Sequence, residues 1–181
     1  MRPATQLSAY VLHHYDWSES SLIVDLFTRD AGRVAVAAKG AKRPTSNLRA
    51  VLMPFQRINV SFGRSARDES ASDIRNLRGA EWGGGLPLCG GEALLAGFYL
   101  NELLMKLLAR DDPHPALWDA YAATLPHLGG AEESAALRAF ELILLAEGTN
   151  PAGADRLLET IDRACADRLG EDLFGRDDDT L

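Results

Sequence analysis

The hydrophobic period of this chain changes once, at a run of glycines. Before Trp82 the apolar positions recur every second residue, as in Leu22, Val24 and Leu26, the spacing that lines one face of a strand. After Gly83, Gly84, Gly85 and Pro87 they recur at three and four: Leu95, Phe98, Tyr99, Leu103, Met105, Leu107 and Leu108. That is a helical stripe. Consecutive glycines favour neither element. A chain that runs strands first and helices second is an α+β protein, and two domains are expected, 1–81 and 82–181.

The charge divides at the same place. The whole chain carries −7, but residues 1–81 hold 12 Lys or Arg against 8 Asp or Glu, and residues 82–181 hold 7 against 18. A basic half of +4 is therefore joined to an acidic half of −11, an asymmetry that suggests different partners for the two. Hydrophobic residues at 46% supply enough material for a core. No apolar run reaches the length of a membrane span, and the N-terminus lacks the pattern of a signal peptide. A cytoplasmic protein is expected, with Cys89 and Cys165 as reduced thiols.

In the first half, the β-formers at 10–12, the alternation over 22–27, and Val34 to Ala38 after a tight turn at Gly32 read as three strands. Residues 51–62 supply a fourth, with Pro54 confining its hydrogen bonding to the later part, and 74–82 a fifth. So small a sheet removes its edges by closing, which favours a five-stranded OB-fold β barrel over an open sandwich. In the second half, helices are expected from 92 to 110, from Pro115 through Leu125, over 131–147 and over 152–169. The first of these is apolar on most sides and should be central. The helical domain is read as a partner-binding scaffold, because an acidic face disfavours DNA.

The stretch 32–49, GRVAVAAKGAKRPTSNLR, passes from a buried strand into a loop with no acidic residue. Lys39, Lys42 and Arg43 lie within five residues and repel one another unless an anion is near. Phosphate is the anion such a platform suits. Arg29, Arg33, Arg49, Arg57, Arg64 and Arg67 add to the basic set, and Tyr15, Trp17, Phe55 and Phe62 lie among them as candidates either for base stacking or for the core. No GxxxxGK[ST], GxSxG or HExxH occurs, and no nucleophile has a partner, so no enzyme, cofactor or metal site is expected.

The run SESSLIVDLFTRDAGRVAVAAKGAKRPTSNLRAVLMPFQ, with its LFTRDAGRV and AKGAKRP segments, resembles the N-terminal domain of the RecO family of bacterial recombination mediators. The run GEALLAGFYLNELLMKLLARDDPHPALWDAY, with its FYLNELL helix, is similar to that family further on. The resemblance covers residues 6 to 145. It implies a non-enzymatic DNA-binding protein with an OB fold and a helical domain, which anneals strands and works with RecR and single-stranded DNA-binding protein (SSB) to load RecA. RecF is a further implied partner. It also implies a pocket in the helical domain for the acidic-hydrophobic tail of SSB, edged by cations for which Lys106, Arg110 and Arg138 are the candidates, Arg138, in the position of a family basic residue, foremost among them. Nucleoid association follows from the same role. Beyond Leu145 the family pattern fades. Some members carry a four-cysteine zinc cluster there, and two cysteines cannot form one.

Overall fold

The computed structural model describes residues 6–62, 74–84 and 91–147. Five strands, β1 (Leu7–Asp16), β2 (Leu22–Thr28), β3 (Gly32–Ala38), β4 (Arg57–Phe62) and β5 (Ile74–Trp82), close into a barrel in the order β1-β2-β3-β5-β4. Neighbours are antiparallel except β3 and β5, which run parallel, with Ala35 opposite Ile74 and Ala37 opposite Asn76. Closure comes from β1 pairing with both β2 and β4. This is the expected OB-type barrel.

Its interior is filled by every second residue of the strands. Ala9 and Val11, then Val24 and Leu26, then Val34, Val36 and Ala38, and Ile58 and Val60 from β4, form one buried cluster. The expected fourth strand is shorter than its text suggests. Residues 48–51 coil into a short helix, α1 (Leu48–Val51), and β4 begins only at Arg57. Pro54 has no amide to donate, and the left-handed Phe55 (φ 67) turns the chain before β4. The helix is too short to leave a periodic signature. It nevertheless delivers Leu52, 2% exposed, into the barrel cluster.

The helices are α2 (Glu92–Leu107), α3 (Pro115–Thr124), a single 3-10 turn over Leu125–His127, and α4 (Glu133–Glu147). Pro115 occupies the first turn of α3, where its missing amide costs nothing. α2 ends three residues before the expected Arg110, because the chain becomes extended at Leu108 and returns to the barrel, where Arg110 bridges to Arg33 before a turn at the left-handed Asp111 (φ 59). There the Asp111 amide donates to the Arg33 carbonyl (2.9 Å). The expected helix over 152–169, with Cys165, and Cys89 lie outside the described residues.

A second core joins barrel and helices. Tyr10, Leu12 and Phe27, on the outer face of β1 and β2, pack with Leu100, Leu103 and Leu104 of α2, Leu117, Trp118 and Tyr121 of α3, and Phe140 and Leu144 of α4. Tyr10 meets Tyr121 and Trp118 at ring-centroid distances of 5.0 and 5.3 Å. An irregularity between Val11 and His13 interrupts the β1–β2 register at Leu12. The Leu12 carbonyl accepts instead from the Asn101 side-chain amide (2.8 Å), whose oxygen accepts the Tyr121 hydroxyl. α2 is central on one face only: Leu94, Leu95 and Phe98 are exposed.

Candidate nucleic-acid interface

Among the described residues the barrel cations fall into two groups, apart from Arg78, which is exposed on β5. One group faces the helices. Arg29, in the turn after β2, donates through both Nε and Nη2 to the carboxylate of Asp119 on α3 (3.1 and 2.9 Å). That fork raises the Arg29 pKa and lowers that of Asp119. Arg33, half-buried on β3, donates from Nη1 to the Met105 carbonyl of α2 (2.7 Å). Desolvation lowers its pKa, with the nearby Asp25 acting in the opposite sense. Arg57, at the start of β4, donates to the Ser8 hydroxyl (3.2 Å) and lies over the Trp118 ring, 5.6 Å from its centroid. Arg75, which sequence reasoning did not single out, joins this group: it stacks on Phe62 at 5.1 Å and pairs with Asp111.

The other group faces solvent. After β3 the chain turns at Gly40 (φ 72), and the loop that follows is joined to the β1–β2 turn. The Lys42 amide donates to the Ser20 carbonyl (3.0 Å), and its ammonium reaches Asp16 (3.0 Å) and the Ser18 carbonyl (3.1 Å). Lys42 therefore ties two loops together. Lys39 and Arg43 are exposed, and neither has an ion-pair partner among the described residues. With Trp17, Ser18, Ser20, Ser21 and Gly40 they line an open cleft of about 430 Å³ that no carboxylate lines. Arg49 is exposed on α1. Arg64 and Arg67 lie outside the described residues.

The aromatic candidates divide in the same way. Trp17 and Tyr15 are 56% and 45% exposed, whereas Phe55 is buried against Phe98 and Phe62 is half-buried under Arg75. Trp17 shares its cleft with two cations.

In the helical half, Lys106 lines a second groove of about 390 Å³ between β1 and α2, with Leu12, Tyr15, Phe98 and Met105, and pairs with Glu102 one turn earlier (2.6 Å). Arg110 lies 3.5 Å from Asp25, a buried carboxylate on β2. Arg138 pairs with Glu141 within α4 (2.8 Å), and Glu141 also accepts the Tyr99 hydroxyl (2.7 Å). Each of the three thus has its own carboxylate. Among the described residues no group of His, Cys, Asp and Glu side chains could hold a metal ion, and no helix is long and apolar enough to cross a membrane.

These features define an OB-barrel protein whose barrel wall is built into a helical domain and whose loop cleft carries two exposed cations with no ion-pair partner among the described residues. Two family models, described as Recombination protein O N terminal and Recombination protein O C terminal, match residues 1–81 and 90–148. The chain is 59% identical over 140 residues to a DNA repair protein RecO of Polaromonas naphthalenivorans, covering 76% of this chain and 54% of that one. It is 57% identical over 146 residues to the same protein of Variovorax paradoxus, covering 77% and 54%. The chain belongs to the RecO family. It spans about half the length of the curated relatives it matches.

Proposed function

We propose that the chain acts in DNA repair and homologous recombination as a non-catalytic mediator. In this reading it binds single- and double-stranded DNA through the barrel, promotes annealing and, with RecR and SSB, loads RecA in the cytoplasm at the nucleoid. RecF is a further partner on the same ground. The observation that carries the reading is the cleft in which Lys39 and Arg43 stand exposed and which no carboxylate among the described residues lines. Cations so placed offset repulsion between two phosphate backbones and make annealing less costly. Lys42 and Arg49 extend that surface. Arg29, Arg33 and Arg57 contribute through the field of the domain while holding the helices. Lys106, on the rim of the β1–α2 groove, is the favoured cation for an acidic-hydrophobic tail, and Arg110 and Arg138 are its outlying candidates.

Titrating single-stranded DNA at several salt concentrations tests this. Affinity should fall steeply with salt, by a slope of roughly 0.7 for each phosphate neutralised on a single strand. Affinity indifferent to salt, or unchanged when Lys39, Lys42 and Arg43 are all replaced by Ala, would falsify it. A second reading, an interaction adaptor whose barrel binds no nucleic acid, is favoured by one finding: Arg29, Arg33, Arg57 and Lys42 already hold internal partners. The same titration separates the two.

A further inference from the structure

We propose that the cleft beside the β1–β2 turn takes one unstacked base of single-stranded DNA, laid on the ring of Trp17 with its flanking phosphates on Lys39 and Arg43. The inference rests on the DNA-binding reading and narrows it to a ligand form and a stacking residue.

A tryptophan ring exposed this far in a turn gains from any flat apolar partner that covers it. The turn is held in place before any ligand arrives. The Trp17 and Ser18 amides donate to the Ser21 carbonyl (3.1 and 3.3 Å), and the Gly40 amide approaches the Ser21 hydroxyl (3.4 Å). Lys42 spans the two loops by its amide and its ammonium. A loop backbone already held in place has less conformational entropy to lose on binding.

The loop after β3 brings two cations to the lining of the same cleft. The Arg43 side chain lies against Gly40, where an added Cβ would stand 3.6 Å from Arg43 Cδ and Nε. Its guanidinium is a planar donor suited to a phosphate, and Lys39 supplies a second positive charge. The serine hydroxyls lining the same space donate or accept as required, so they do not fix which base enters.

This chemistry distinguishes strand forms. In a duplex the ring faces are covered by their neighbours, leaving phosphates and groove edges accessible. In a single strand every base offers a face, and stacking is sequence-tolerant. Lys39 and Arg43 therefore serve both forms, and Trp17 serves the single strand alone.

The test measures binding of the full chain to a labelled oligo-dT and to a blunt duplex at one salt concentration. Trp17→Ala should weaken oligo-dT binding roughly tenfold or more and leave duplex binding unchanged, and Trp17→Phe should retain most of the affinity. The Trp17 fluorescence, obtained as the difference between wild type and Trp17→Phe, should be quenched by oligo-dT. Undiminished oligo-dT binding by Trp17→Ala, equal loss on the duplex, or an unquenched difference signal overturns the base site. If Lys39→Ala with Arg43→Ala weakens both ligands while Trp17→Ala weakens neither, DNA binding stands and only the stacking site falls. If the wild type binds neither ligand, the DNA-binding reading falls first.

Discussion

The main-chain carbonyl of Asp112 rests on the Cα of Gly32, in the space where any other residue would place its Cβ. Gly32 also holds φ at 67°, in the left-handed region. The contact presses the connection between α2 and α3 onto the start of β3, beside the Asp111 to Arg33 hydrogen bond. Gly32→Ala should cost about 3 kcal/mol in urea denaturation, from left-handed strain and from displacing backbone. Gly40 is the internal control. It has a similar φ of 72°, but its Cβ would meet only the flexible Arg43 side chain at 3.6 Å, so Gly40→Ala should cost about 1 kcal/mol.

Asn101 links three elements from a buried position. Its amide donates to Leu12 of β1 and its oxygen accepts from Tyr121 of α3. Asn101→Leu leaves a buried carbonyl and a buried hydroxyl without these partners, and should destabilise the protein by about 2–4 kcal/mol. Tyr121→Phe removes one donor, keeps the ring packing, and should cost about 1–2 kcal/mol. The ordering of the two in equilibrium unfolding checks the network.

Tyr121 also sets an alkaline limit. Burial raises its pKa well above the ordinary 10.0, and burial raises that of Tyr10 as well. Above pH 10 the unfolded chain releases these protons while the native state retains them. The native state then binds more protons, so stability falls as pH rises, from about 10 toward the native pKa values. Urea midpoints taken between pH 8.5 and 11 should decline over the upper part of that range, and the decline should be shallower in Tyr121→Phe.

The two groups of cations should separate in a salt titration of DNA binding. Replacing Lys39 or Arg43 by Ala should reduce the slope of log affinity against log salt by about 0.7 on single strands. Replacing Arg33 should leave that slope nearly unchanged and lower thermal stability instead, because its guanidinium is half-buried on the Met105 carbonyl. Equal effects on the slope from Arg33 and Lys39 would count against the division.

The elements themselves were legible in the text. The period of two brought out β2 and β3, Ile74–Trp82 ran as one strand to its stated ends, and Pro115 marked the start of α3. The four-residue α1 escaped because it is shorter than one hydrophobic period. The cations were legible as a set but not as two groups, since nothing local tells which barrel face a helix will cover. A partial signal existed. Four consecutive apolar residues, Ala9 to Leu12, mark a strand covered on both sides, and Arg29 and Arg33 flank the strands that share that wall. Trp17 carried no pattern of its own, and only the joining of two loops shows what stands beside it.

β1 supplies two residues to each cluster, Ala9 and Val11 inward and Tyr10 and Leu12 outward. Neither half can melt without exposing one side of it. Barrel and helices should therefore behave as a single foldon, with the slowest-exchanging amides near the middle of β1 and one calorimetric transition in place of two. A barrel cut free at residue 84 would present Tyr10, Leu12 and Phe27 to water as a sticky stripe, and self-association of that fragment is the expected result.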